Sequence, residues 1–315
     1  MRSPERSAWF DSSDPLSNGS RTTVRLSTTS FACIIFSTLT VRISALFCIE
    51  FSLEPSGDFE IMVVDDKFFR ARVTKRVDFA PDLWMFRVEA GGAFNFLPGQ
   101  YATLGVEDGG KRVERPYSIA SSPSESEVEF FFELVPEGAL TPRLHKLQPG
   151  DGLLMRKVPK GKFVLETGDG RTNHLLVSTV TGVAPFVSFI RTLSKDWKDG
   201  RFDGAHKLYL LNGASRPWEF GYKDELTRFA EELPWLKYIP TVSRPWDHAD
   251  WPGEIGRADD ILRKYADSWG LDASNTHAYL CGHPDMIANS KAILKRRGFL
   301  DKVAIKEEIY WVPAK

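Results

Sequence analysis

Cysteine is scarce in this sequence. Cys33, Cys48 and Cys281 are the only three in 315 residues, too few and too scattered for a disulfide framework or for a four-thiolate zinc or iron–sulfur site. A charge of one sign is lacking too. With 41 Lys and Arg against 42 Asp and Glu the formal net charge is -1, so nothing draws the whole chain to nucleic acid or to an anionic membrane. Any charged partner must be met by a local patch. Long apolar runs are almost absent. The one stretch of note, roughly residues 31–51, is broken by Arg42, which spoils it as a membrane span, and no stable membrane insertion is expected. No internal repeat or low-complexity tract is present, which excludes a solenoid.

What is there falls into three parts. Residues 1–61 are rich in Ser, Thr and Arg and are expected to be an N-terminal extension, disordered or preceding a natural start at Met62; an organelle transit segment is the alternative. Residues 62–168 carry short alternating segments at Phe69–Val73, Leu83–Val88, Tyr101–Val106, Glu127–Leu134 and Leu153–Val158, with Gly and Pro turns and a short helix over Leu140–Leu147. This spacing predicts an antiparallel β-barrel. In residues 169–315 the rhythm changes. Apolar runs at His174–Thr179, Lys207–Leu211, Leu236–Val242 and His277–Cys281 alternate with helix-length stretches near 184–195, 222–232, 257–267 and 284–297, the pattern of a parallel sheet with crossover helices. The expected fold class is therefore β + α/β, a barrel followed by a nucleotide-binding domain, with the boundary between Glu166 and Thr172.

Three motifs carry chemistry. In Arg115-Pro116-Tyr117-Ser118-Ile119, alternation puts Arg115, Tyr117 and Ile119 on one side of a strand. A flavin dinucleotide needs such a surface: a guanidinium for the pyrophosphate, a ring for the isoalloxazine and a small hydroxyl near N5. Downstream, Gly138 turns through Thr141 into a helix whose first N–H groups suit an anion. In Leu175–Phe186 a strand ends in Val180-Thr181-Gly182 and a helix opens at Ala184-Pro185, the position at which a parallel sheet receives a dinucleotide.

The runs RPYSIASSP, EGALTPRL, QPGDGLLM and PKGKFVL resemble, in order and spacing, the FAD domain of the ferredoxin–NADP reductases, the bacterial branch in particular, and the likeness extends over about Phe68 to Trp311. The resemblance implies an FAD- and NADP(H)-dependent oxidoreductase exchanging electrons with ferredoxin or flavodoxin. For FAD it implies Arg115 and Pro116 with Tyr117 against the flavin, Ser118 near N5, Gly138 and Thr141 at a phosphate, and Trp311 near the adenine. For NADP it implies Thr181, Gly182 and Pro185 in the turn, with Arg216, Ser243, Arg244 and Arg257 about the 2′-phosphate. Cys281 would lie by the nicotinamide and Tyr310 would cover the isoalloxazine. Ser118, Tyr117, Cys281 and Tyr310 are thus the expected catalytic set.

Two departures from the family pattern stand out: Val180 replaces a glycine of the turn, and Arg216 is displaced by one position. Lys291, Lys295, Arg296 and Arg297 offer a basic patch for an acidic carrier. A cytoplasmic, monomeric enzyme is expected. Two alternatives stay open: a reductase subunit of an oxygenase or other redox complex, and a flavin-binding protein whose pyridine-nucleotide site is impaired at Val180.

Overall fold

The computed structural model describes residues 41–42, 48–53, 59–64 and 67–310. The expectations for most of residues 1–61 and for Trp311 lie outside them. By its contacts the chain forms two units, one of residues 1–66 with 107–112 and one of residues 67–106 with 113–315. In the first, strands β1 (Val41–Arg42), β2 (Cys48–Leu53) and β3 (Phe59–Val64) form an antiparallel sheet in that order, with Cys48 opposite Val64 and Leu53 opposite Phe59.

The second unit begins with six strands, β4 (Phe68–Ala80), β5 (Leu83–Glu89), β6 (Tyr101–Asp108), β7 (Lys111–Ser118), β8 (Val128–Glu133) and β9 (Gly152–Arg156), of which the adjoining ends of β6 and β7 fall within residues 107–112 of the first unit. Their order, β7-β6-β9-β4-β5-β8, is brought round into a barrel by the bridge Ile119 to Phe130, with Ala120 N donating to Glu129 O at 2.8 Å. Trp84, Phe86, Leu104, Phe130, Phe132 and Met155 fill its interior.

Strands β5 and β8, expected to alternate, are instead buried almost throughout because both faces are covered. Trp84, Phe86, Phe130 and Phe132 point into the barrel, while Leu83, Met85 and Phe131 pack outward on the helical half. Emptying the Phe131 position to alanine would cost about 3–5 kcal/mol and would loosen that seam.

The short helix is α1 (Thr141–Leu144), half the expected length. Beyond it the chain continues in tighter turns, Lys146 N donating to Arg143 O at 3.3 Å and Leu147 N to Leu144 O at 3.0 Å, and the Arg76 guanidinium caps the free carbonyls of His145 and Leu147 at 2.5 and 3.0 Å.

The rest is a parallel sheet in the order β13-β12-β11-β10-β14-β15, namely β10 (Asn173–Thr179), β11 (Lys207–Ala214), β12 (Leu236–Val242), β13 (Glu254–Ile255), β14 (Thr276–Gly282) and β15 (Ile305–Ile309). Helices α2 (Ala184–Lys198) and α3 (Lys223–Glu232) cover one face and α4 (Ala258–Ser268) and α5 (Pro284–Arg296) the other. Along β10, Leu176 packs toward α2 while Leu175 and Val177 pack toward α4 and α5. Strand order reverses at β10, between β11 and β14, so the crevice above its carboxyl end is where such a sheet holds ligands.

A buried ion network ties α2 to the barrel. Glu129, whose side chain is almost wholly buried, accepts from Arg191 Nη1 (2.9 Å), Arg87 Nε (3.0 Å) and Tyr222 Oη (2.8 Å). Removing one partner of such a set leaves a stranded charge at about 3–5 kcal/mol, so the barrel and the helix that opens at the nucleotide turn are held in fixed relation.

Candidate active site

A single cavity of about 1300 Å³ runs along the carboxyl edge of the parallel sheet, with the barrel as its other wall. From the barrel it takes Arg115, Pro116, Tyr117, Ser118, Gly138 and Thr141; from the sheet, Thr179, Val180, Thr181, Ser243, Arg244, Arg257 and Tyr310. Gly182, Pro185, Cys281 and Arg216, also expected from the sequence, do not line it.

At the barrel wall, adjacent residues of β7 part company. Tyr117 turns inward and meets Phe132 edge-on with ring centres 4.9 Å apart, and burial pushes its phenol well above the ordinary value despite Arg115. Arg115 and Tyr117 on one side of the strand and Ser118 on the other all line the cavity. Gly138 N donates to Val135 O at 2.8 Å, and the Thr141 hydroxyl is held by the Val135 backbone at 3.1 Å.

Ser118 is at the centre of a hydroxyl–carboxyl chain. Its Oγ donates to Glu308 Oε1, and the Tyr310 hydroxyl lies 3.3 Å from Ser118 Oγ and 3.2 Å from Thr181 O, to only one of which it can donate at a time. Burial raises the carboxyl of Glu308, opposed by the Ser118 hydrogen bond, so this acid keeps its proton to a higher pH than a free glutamate. Cys281, opposite Glu308 on the neighbouring strand, is fully buried against Tyr310. Burial first, then the Glu308 charge, push its thiol well up, which makes it a thiol rather than a thiolate.

Glu308 was not singled out from the sequence. The signal was there: it stands two residues before Tyr310 on a strand, so both project to one side.

The nucleotide turn is a tight 3₁₀ turn, Val180–Val183, leading into α2. Gly182 packs so close to the next strand that a Cβ would fall 2.3 Å from Cys281 O, and Gly282, at φ +126°, would put one 2.3 Å from Thr179 Oγ1. Both glycines let the ends of β10 and β14 meet, with His283 N donating to Thr179 Oγ1 at 2.8 Å. Val180 does adopt the left-handed region, at φ +41°, where a β-branched residue is strained. Pro185 is buried in the first turn of α2, where its missing N–H costs nothing.

At the outer end, Ser243 and Arg244 follow β12 and Arg257 precedes α4; the Arg257 Nε lies 3.2 Å from Asp259. Trp246, highly exposed at 74%, joins the rim. Of the basic residues on α5 and just beyond it, Lys291 pairs with Asp301 and Glu307, Lys295 with Asp301 and Arg297 with Asp267. Most of the expected docking patch is therefore neutralised by its own neighbours. Among the described residues no group of His, Cys, Asp or Glu could hold a metal, and no helix is long and apolar enough to cross a membrane.

Residues 70–165 match the family model described as oxidoreductase FAD-binding domain, and residues 176–292 that described as oxidoreductase NAD-binding domain. The chain is 31% identical over 230 residues to a ferredoxin–NADP reductase of Pseudomonas aeruginosa, covering 69% of this chain and 84% of the relative. It is 29% identical over 227 residues to the flavodoxin/ferredoxin–NADP reductase of Escherichia coli, covering 70% and 87%. A crystal structure of a ferredoxin–NADP reductase from Neisseria gonorrhoeae with bound FAD and NADP superposes with a TM-score of 0.67 at 23% identity, over 77% of this chain and 98% of that one, and shares its fold. The barrel followed by a doubly covered parallel sheet, the cavity between them and these matches agree: this chain belongs to the ferredoxin–NADP reductase family.

Proposed function

We propose that the chain is a ferredoxin- or flavodoxin–NADP(+) reductase that passes a hydride between NADPH and FAD and single electrons between FAD and a small carrier protein. The observation that carries this reading is the meeting of both motif sets in one cavity. Its volume exceeds the roughly 300–1,000 Å³ of a single-ligand pocket, which leaves room for two nucleotides. The donors fit the groups. Arg115, Pro116, Tyr117, Ser118, Gly138 and Thr141 would hold FAD; Thr181, Ser243, Arg244 and Arg257 would hold the nicotinamide nucleotide, with Gly182 and Pro185 shaping the turn beneath it. The names of the relatives, ferredoxin and flavodoxin reductases, support the choice of carrier.

Held there, FAD would supply the chemistry of hydride acceptance and single-electron release. The chain's part is orientation and exclusion of water. Ser118 fixes one edge of the flavin site through its hydrogen bond to Glu308, whose carboxyl pKa is held above the ordinary value by burial. Tyr310, held by two alternative hydrogen bonds, is the cover that must yield when a nicotinamide enters. Cys281 backs that cover as a neutral thiol.

Anaerobic mixing of the flavin-loaded protein with NADPH tests the reading. Bleaching of the flavin absorbance within seconds, followed by recovery when oxidised ferredoxin or flavodoxin is added, is expected. A spectrum that NADPH leaves unchanged would overturn it.

A further inference from the structure

Arg216, one position from its family counterpart, is held away from the cavity. Its Nε donates to Asp247 at 2.8 Å, its Nη1 lies 3.5 Å from Glu219, and its guanidinium is 5.7 Å from the centre of the Trp218 ring. Glu219 does line the cavity, on the same wall as Ser215, Ser243, Arg244 and Arg257, and it is anchored there by Ser215 N at 2.7 Å and Arg216 N at 3.3 Å. Asp247 sits on the loop after β12, which is tied to the loop after β11 by Arg244 N donating to Ser215 O at 3.0 Å. Two carboxylates from two neighbouring loops thus share one guanidinium. Arg244, by contrast, is exposed and makes no ion pair among the described residues.

A phosphate on the adenosine ribose, arriving beside Arg244 and Arg257, would face the Glu219 carboxylate and would compete with it and with Asp247 for Arg216. An unphosphorylated ribose faces no such opposition, and a carboxylate at this strand end is a natural acceptor for its 2′-hydroxyl. We infer that Glu219 and Asp247 are specificity-determining residues: by holding Arg216 out of the cavity they limit the preference of this chain for a 2′-phosphorylated over an unphosphorylated adenine nucleotide. The inference rests on the reading of the cavity as a pyridine-nucleotide site and adds what sets its selectivity.

The test is equilibrium binding of adenosine 2′,5′-bisphosphate and of AMP to the flavin-loaded protein, by titration calorimetry at one fixed low ionic strength. In the double variant Glu219→Gln with Asp247→Asn, the ratio of the two affinities should shift toward the bisphosphate by on the order of tenfold or more, as a freed guanidinium gains a charge-assisted phosphate contact and a like charge is removed. Adding Arg216→Ala to that double variant should cancel the gain. The single Asp247→Asn, on an exposed loop, should give part of it and covers the case in which Glu219→Gln fails to fold. A ratio that does not move, or a gain that survives the loss of Arg216, overturns the inference while leaving the reductase reading intact. A wild-type protein that binds neither nucleotide and is not bleached by NADPH overturns both.

Discussion

The two edges of the parallel sheet are built by the same strands and put to opposite uses. At the amino edge, most polar groups are paired with one another, while the buried Nδ1 atoms of His174 and His277 have no hydrogen-bond partner among the described residues. His174 Nε2 lies 2.9 Å from His206 Nδ1, His277 Nε2 lies 2.9 Å from Asp169, the Tyr279 hydroxyl accepts from Glu166 N at 2.7 Å, and Lys306 donates to Val164 O at 2.9 Å. At the carboxyl edge, Thr179, Thr181, Ser243 and Arg244 end facing a cavity, and the backbone enters the left-handed region at Val180 and Gly282. Outward-facing donors collect at the carboxyl edge because a ligand can satisfy them there, whereas positive φ at a non-glycine residue occurs at both edges, at Val180 and at Lys302 before β15. The amino edge closes on itself and serves stability and the seating of the segment between barrel and sheet.

The sharpest way to break this comparison is at Ser118. Ser118→Ala removes the hydroxyl that links Glu308 to the barrel wall, and the rate of flavin reduction by NADPH should fall by about 10²–10³-fold, the range for deleting one preorganised donor. Rapid mixing measures it, with flavin content as the control for folding. A rate near that of wild type would mean that the hydroxyl chain is merely structural. Next in size is Arg244→Ala. Loss of a charge-assisted hydrogen bond of about 1.5–3 kcal/mol should lower kcat/KM for NADPH by roughly 10–100-fold and leave that for NADH nearly untouched. Equal losses for both nucleotides would remove the phosphate from that end of the cavity.

How much of this was legible beforehand follows the same division. Strand-to-helix alternation and the RPYS and TGVAP segments located the barrel, the parallel sheet and most of the cavity wall, because local periodicity and turn chemistry are written in consecutive residues. Glu308 and Cys281 meet Ser118 and Tyr310 only through pairing of β14 with β15 and packing of both on the barrel, contacts about 190 residues apart in sequence for Ser118 and Glu308. The strand expected at Phe69–Val73 in fact runs on to Ala80, because bulges between Val73 and Lys75 and between Asp78 and Ala80 break the alternation that marks a strand. Glu127–Leu134, expected to alternate, carries the triplet Phe130-Phe131-Phe132, which is covered on both sides and so is apolar throughout. Arg216 had the right residue type at the right strand end, and only the neighbouring Glu219 and Asp247 reveal that it points elsewhere.

At the amino edge the sign of the pH dependence is the test. Burial first, then the charges of His206, His277 and Lys306, against Asp169, lower the pKa of His174 from 6.5 to about 3. The unfolded chain therefore takes up a proton that the folded one refuses. The contribution of His174 is complete above pH 6.5 and is lost as pH falls toward 3, at up to about 1.4 kcal/mol per pH unit, a factor of about ten in the folding equilibrium. In His174→Phe, urea unfolding followed from pH 7 down to about 4 should show an acid limb shallower by up to one proton. An unchanged slope would mean that this edge does not carry the acid sensitivity.

The smallest expected effect sharpens the comparison most, because Val180 is strained and packed at once. Its φ of +41° should cost about 1–3 kcal/mol, and its side chain, partly buried against two apolar clusters, returns a similar amount through burial. Val180→Gly removes both, so stability should change by less than about 1 kcal/mol. The turn, freed of a Cβ that faces the cavity, should admit the nucleotide more easily, and KM for NADPH should fall a few-fold with kcat for flavin reduction unchanged. A loss of about 2 kcal/mol with no change in KM would show that the side chain only packs and that the carboxyl edge stores no strain at this turn.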